Sequence, residues 1–343
     1  MTRPGDDACA VVGHLLGVQA ENQRQSEWAV AARTSSPRPD SVPALLADGT
    51  VIRTHVLRST WHYALAEDVG WLLDLSGKRV RGVVTSMLAQ RGIDDAAICL
   101  VADLVTTALA VRPDQTRQEL RDLLDGAGLQ IDGMAAAQIL SVLELDQLIC
   151  SGRPRDGEHT YGLFDERVPN PKRLDREEAL AEVVVRYVTG HGPATARDLA
   201  YWATLGLRDV SRGLAAAADR LSSFEHDDTI YWHAPDSEPP TSPGVPRGHL
   251  LLALDELHNG FQHSRYVIDE AGLVPHATRY PAVGMALVDG QFVAVHTRTV
   301  TPFAVRFDLI GWRPLTADDI AVLTEAANRV GRYLGLPAKL TVA

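Results

Sequence analysis

The residues best able to do chemistry stand close to the amino terminus. Gln19-Ala20-Glu21 lies inside His14 to Thr34, HLLGVQAENQRQSEWAVAART. Leu15, Leu16 and Gly17 precede it, and Trp28, Ala31 and Ala32 follow at helical spacing, so Gly17 reads as a helix stop and the triplet as the connection. In an extended segment, residues two apart share a face. Gln19 and Glu21 are then expected to reach one pocket, with Ala20 turned into the core. An amide beside a carboxylate can hold a water and take its proton. Exposure in a loop is the ordinary role of both residue types, so the triplet gains meaning only from its surroundings.

Further groups fall in two runs free of acids. Arg53, His55, Arg58 and His62 lie between Val51 and Ala64, and Arg298 and Arg306 between His296 and Phe307. Both runs are candidate phosphate-facing patches. Alternation at period two puts Arg58, Thr60 and His62 on one face, and Thr297, Arg298 and Thr299 are candidates in the second run. The acid pair Asp255-Glu256 sits where a strand gives way to a helix and reads as a cap. No zinc spacing, phosphate loop, nucleotide-binding glycine motif or activated serine is present, so no metal and no cofactor is expected.

These residues belong to a chain of 343, long enough for several compact units, with 45% hydrophobic and 22% charged residues. The start carries no basic patch leading into an apolar stretch, so neither a signal peptide nor a membrane span is expected. Cys9, Cys99 and Cys150 are too few and too scattered for a disulfide framework or a metal site, which fits reduced thiols in a cytoplasm. The net charge of −11 disfavours tight binding to undamaged nucleic acid, because phosphate neutralisation supplies most non-specific affinity.

The elements that must position the candidates repeat in outline. Residues 34–43, with Pro37, Pro39 and Pro43, read as an exposed loop. TVIRTHVLRSTWHYAL then reads as a two-stranded ribbon leading into a helix from Ala66. A second set follows: a helix over 97–110, a capping box at Thr116 and Glu119 opening a short helix, a helix over 134–149, and a ribbon through CSGRPRDGEHTYGLF. A third runs through helices over 176–189, 196–204 and 208–221, with Thr195 as a cap, to a ribbon over 222–233. The proline-rich stretch 235–246 marks a boundary. Beyond it come strands, an Asp289-Gly290 hairpin signal and a helix over 317–333. The fold class is α+β: three tandem winged-helix units over 1–90, 91–168 and 169–235, and a mostly β, barrel-like unit over 248–343.

Several stretches together resemble the AlkZ-like family of bacterial winged-helix proteins. They are LLGVQAE, VIRTHVLRSTWHYALAEDVGWLL, GPATARDLAYW, LLLALDELHNGFQHSRYVID, MALVDGQFVAV and EAANRVGRYLG. That family includes DNA glycosylases that protect antibiotic producers from their own alkylating products. The resemblance implies a C-shaped arrangement of the four units around a DNA channel. It also implies removal of alkylated purines from double-stranded DNA, by a monomer in the bacterial cytoplasm. Active members carry Gln-x-Gln or Gln-x-Asp where this chain has Gln19-Ala20-Glu21. The carboxylate at the last position is nearer to the Asp form, one methylene longer. Gln19 and Glu21 are the catalytic candidates, and Arg53, His55, Arg58, Thr60, His62, Thr297, Arg298 and Thr299 the DNA-binding ones. Two other classes stay open at this point: a winged-helix DNA-binding regulator, and a resistance protein that sequesters a drug.

Overall fold

The computed structural model describes residues 5–235, 247–274 and 284–343. The first stretch holds α1 (Ala8–Leu15), β1 (Val18–Gln19), α2 (Gln23–Ala31), α3 (Ser41–Asp48), β2 (Val51–His55), β3 (Trp61–Leu65) and α4 (Ala66–Ala89). The second holds α5 (Asp95–Val111), β4 (Gln115–Thr116), α6 (Arg117–Gly126), α7 (Gly133–Leu145), β5 (Ile149–Ser151), β6 (Thr160–Leu163) and α8 (Phe164–Arg167). The third holds α9 (Arg176–His191), α10 (Ala196–Trp202), α11 (Leu207–Ala216), β7 (Ser222–His226) and β8 (Thr229–His233). The last holds β9 (Gly248–Leu251), α12 (Glu256–Asn259), β10 (Gly284–Val288), β11 (Gln291–Val300), β12 (Val305–Gly311), α13 (Ala317–Leu334) and β13 (Ala338–Val342). The chain is thus α+β, with helices leading into small antiparallel sheets in the first three stretches and one larger sheet in the fourth. Positions 236–246 of the expected boundary lie outside the described residues. Among the described residues no helix is long and apolar enough to cross a membrane.

Local signals act as read where they are complete within a turn or two. Thr116 and Thr195 each close a capping box, with Glu119 and Asp198, and so start α6 and α10. Asp289 and Gly290 both take positive φ, 48° and 78°, and turn β10 into β11. Three readings change. Residues 34–43 are not all loop, since α3 starts at Ser41 and tolerates Pro43 in its first turn, where that nitrogen needs no partner. The helix expected over 134–149 stops at Leu145, and Gln147 turns at φ 57° so that Ile149 can enter a strand. Gly17 is not the helix stop: Leu16 takes the positive φ of 62° after α1. Gly17 packs closely instead, since a Cβ there would come within 2.9 Å of a Leu57 methyl, which would have to shift.

The expected barrel is also absent among the described residues. Among the described residues the C-terminal strands form one open sheet in the order β13-β12-β11-β10-β9, with β9 and β13 at its two edges. The reason is the helical crossover. β12 and β13 run parallel, and α13 between them lays Leu323, Ala326, Ala327 and Val330 on one face of the sheet. That face is covered without the sheet curling on itself.

Packing ties the units together. One apolar cluster runs from Leu16 to Leu221 through all three N-terminal stretches. The C-terminal cluster, by contrast, takes in Trp28 and Ala31 of α2, and Trp28 meets Tyr333 at 5.0 Å between ring centroids. The helix that follows Gln19-Ala20-Glu21 therefore docks the C-terminal sheet. Contact between α9 and α11 depends on Gly213, where an added Cβ would lie 2.4 Å from the Leu180 carbonyl oxygen. Gly213→Ala is expected to lower the unfolding free energy by about 1–3 kcal/mol, read from urea denaturation; an unchanged midpoint would show that the two helices can separate freely.

Candidate active site

The triplet behaves as an extended segment. Gln19 pairs with His62 across β1 and β3, and the Ala20 amide donates to the Trp61 carbonyl at 2.7 Å. Ala20 is fully buried in the core of the first stretch, while Gln19 and Glu21 both line a single cleft of about 880 Å³. Gln19 is buried except where it meets the cleft, and Glu21 is exposed. The Glu21 amide donates to Gln19 Oε1 at 3.2 Å, which turns the amide nitrogen the other way. Among the described residues Gln19 Nε2 has no partner, so it is available to donate to a water. Glu21 Oε2 accepts from the Trp61 amide at 3.3 Å and leaves its other oxygen free. A donor and an acceptor thus open into the same space.

Two buried carboxylates, brought from distant parts of the chain, hold this segment. Glu144, on α7, has no exposed surface. Its Oε2 accepts from Thr54 Oγ1 (3.2 Å), the His55 amide (2.9 Å) and Trp61 Nε1 (3.3 Å), and His55 Nδ1 donates to the same oxygen. Trp61, so fixed, carries the Arg53 guanidinium 3.5 Å from its ring centroid. Arg53 donates in turn to the carbonyls of Ala20 (3.0 Å) and Glu21 (3.3 Å). Glu256, at the start of α12, accepts from the Gln19 amide at 2.7 Å.

The cleft has walls from three stretches. α2 supplies Gln23, Arg24 and Gln25; the start of α6 supplies Arg117 and Gln118; the turn after β9 supplies Leu252, Ala253 and Leu254. His159 completes the wall, 4.6 Å from Trp61 between ring centroids. Its Nε2 is buried and lacks a partner among the described residues. Burial, reinforced by the charges of Arg53 and Arg117, pushes the His159 pKa well below that of an ordinary histidine. Arg24 and Arg117 are exposed at the rim.

The expected DNA contacts divide. Arg53 is 3% exposed and spends its donors on the backbone of the triplet, so it serves as a clamp. His55 is bound to Glu144. The alternation expected for Arg58, Thr60 and His62 breaks down, because β3 begins only at Trp61 and Leu57 turns the chain at φ 68°. His62 has no exposed surface: Arg58 Nη2 donates to its Nε2 (3.1 Å), and its Nδ1–H donates to the Thr60 carbonyl (2.8 Å). Arg58 itself bonds the Asn259 carbonyl at 3.1 Å. In the first run Arg53 and His62 are buried and His55, Arg58 and Thr60 half-buried, and the donors of Arg53, His55 and Arg58 are directed at the protein. Thr297 and Thr299 are exposed on β11. Arg298 lines a narrow recess with Gln25, Trp28 and Phe307 and has neither hydrogen bond nor ion pair among the described residues. Asp255 caps α12 as expected and forms a two-point ion pair with Arg33 (2.6 and 3.1 Å). Arg117, His159, Glu144 and the part played by Glu256 escaped sequence reasoning. Only the Thr116 cap hinted that Arg117 would stand in a first helical turn.

Buried histidines set a pH dependence. Burial and the Arg58 charge hold His62 at about 3, while burial first, then Arg298, holds His296 at about 4. His258 lies at about 4 through burial and the Arg265 charge. The unfolded chain takes up these protons near pH 6.5 and the folded chain only near 3 to 4. Stability is therefore full above pH 6.5 and lost as the pH falls through that window, by up to about 1.4 kcal/mol per histidine per pH unit. Urea midpoints should fall between pH 7.5 and pH 5, with a shallower slope for His296→Phe. Equal slopes would contradict the assignment.

The chain matches the family model described as DNA glycosylase AlkZ-like over residues 12–333. An interstrand DNA cross-link repair glycosylase of Streptomyces sahachiroi is 27% identical over 220 residues, covering 59% of this chain and only 56% of that protein's length. The solved structure of Streptomyces sahachiroi DNA glycosylase AlkZ superposes with a TM-score of 0.74 over 99% of this chain and 95% of that one. At 19% identity that likeness speaks to the fold. With the family match running through nearly the whole chain, the protein belongs to the AlkZ-like DNA glycosylase family.

Proposed function

We propose that the protein is a DNA glycosylase that hydrolyses the N-glycosidic bond of N7- or N3-alkylated purines in double-stranded DNA, in repair or in self-resistance to a genotoxic product. The observation that carries this reading is the convergence of Gln19 Nε2 and the Glu21 carboxylate on one cleft. An alkylated purine of this kind already bears positive charge, so it departs without a general acid and without a metal. Glu21 stabilises the oxocarbenium-like sugar and takes the proton of a water that Gln19 aims at C1′. The new C1′–O bond forms as the C1′–N bond breaks, and the bonding pair returns to the cationic ring, which leaves neutral.

In the finer architecture, the three N-terminal stretches act as winged helices over 1–90, 91–168 and 169–235, and with the unit over 248–343 they curve around the duplex. Thr297, Arg298 and Thr299 contact the backbone, joined at the cleft rim by Arg24 and Arg117. Arg298 supports this through its lack of an acidic partner among the described residues, since a half-buried guanidinium without one is suited to a phosphate. The protein works as a monomer on chromosomal DNA in the cytoplasm.

The test is incubation with duplexes carrying N7-methylguanine and with duplexes treated by a bulkier intercalating alkylator, with free base and abasic sites quantified. Release from at least one substrate is expected. Binding to both with release from neither would leave a DNA-binding scaffold.

A further inference from the structure

The carboxylate of Glu256 is 3% exposed, at a junction of four elements from distant parts of the chain. Its Oε1 accepts from the Gln19 amide of β1 at 2.7 Å and has Arg58 Nη2 3.9 Å away. Its Oε2 accepts from Trp202 Nε1 of α10 at 2.9 Å, with His191 Nε2 of α9 at 3.5 Å. Both oxygens are therefore committed as acceptors, and the donors they serve are buried with them. Burial alone would raise its pKa, but the His191 hydrogen bond and the Arg58 charge outweigh burial and hold it at about 2. Next to it in sequence, Asp255 is pinned to Arg33 in the turn after α2. The turn just before the pair, Leu252 to Leu254, is a wall of the cleft. One dipeptide thus fixes the cleft wall and the backbone of the motif in the same geometry.

We propose that Glu256 is a positioning residue: by holding the Gln19 amide it sets the direction of the Gln19 side chain into the cleft, and so makes the C-terminal unit part of the catalytic site. The proposal rests on the glycosylase reading above for its kinetic consequence, but not for its structural one. Position matters here because a displacement of about 1 Å in a water-holding group costs on the order of 10²-fold in rate. No neutral isostere can replace the carboxylate, since an amide presents N–H to one of two donors.

The experiment uses the full chain with Glu256→Gln, alone and combined with Gln19→Ala. Single-turnover release from the N7-methylguanine duplex should fall about tenfold or more in Glu256→Gln, with DNA affinity within about twofold. In the Gln19→Ala background the same substitution should change the rate by less than about twofold, because the group it positions is gone. An equal fall in both backgrounds would make Glu256 merely structural and overturn the proposal. Amide hydrogen exchange supplies a readout that needs no activity: exchange at Gln19 should rise about tenfold in Glu256→Gln while β2 keeps its protection. Unchanged exchange at Gln19 overturns the proposal. If wild type releases no base but exchange responds as stated, the positioning stands and the glycosylase reading fails. Glu256→Asp, which withdraws both oxygens by one methylene, gives the same test should the amide variant fold poorly.

Discussion

Glu21→Ala should slow release of N7-methylguanine by about 10²- to 10³-fold in single-turnover assays, with affinity for undamaged duplex unchanged. The carboxylate is exposed in the cleft, and the only bond it makes to the protein among the described residues is the one it accepts from the Trp61 amide. Its removal leaves no buried donor orphaned except that amide, so the effect should fall on rate and not on folding. Glu21→Gln creates the Gln-x-Gln pattern and keeps an oxygen able to accept from water. It should retain measurable activity, slower than wild type because the negative charge opposite the developing oxocarbenium is gone. A Glu21→Ala protein as fast as wild type would remove Glu21 from the chemistry.

The largest effect on stability is expected at Glu144. Four donors converge on its Oε2, from Thr54, the His55 backbone, the His55 ring and Trp61. Glu144→Ala would leave the buried Thr54 hydroxyl and Trp61 indole N–H without an acceptor and the half-buried His55 donors to solvent, costing about 3–5 kcal/mol. The loss should appear as a lower urea midpoint with an unchanged slope. Because Trp61 supports Arg53, and Arg53 clamps the carbonyls of Ala20 and Glu21, base release should also fall. A stability change under about 1 kcal/mol would show that solvent can replace Glu144, and the relay from α7 to the motif would then carry no weight.

What could be read from sequence was whatever depends on neighbours in the chain. Gln19 and Glu21 face one cleft because alternation in an extended segment is a two-residue property. The caps at Thr116, Thr195 and Asp255 involve donors at most three positions away. The misreadings share a cause. Arg53, His55 and His62 look like a basic surface when their sequence neighbours are the only context. Arg53 spends its donors on the Ala20 and Glu21 carbonyls and His55 meets a carboxylate on α7, both far away in the chain, while His62 folds back on the Thr60 carbonyl in a buried turn, so none of the three forms a basic surface. Trp28 continues the local helical pattern, yet it packs on a sheet more than two hundred residues later. Glu256 reaches Gln19 across 237 positions. No periodicity encodes that distance, and the barrel expectation failed for a similar reason: strand signals do not say that α13 will cover the sheet.

The central claim, that Gln19 and Glu21 together drive departure of a damaged base, is tested most directly by the Gln19→Ala/Glu21→Ala protein. Free base should be quantified by mass spectrometry from whichever of the two damaged duplexes, N7-methylguanine or bulky adduct, wild type processes faster, at matched DNA occupancy with wild type. Wild type should turn over, and the double variant, which still binds the duplex, should release base no faster than spontaneous depurination. Release by the double variant at the wild-type rate would contradict the claim.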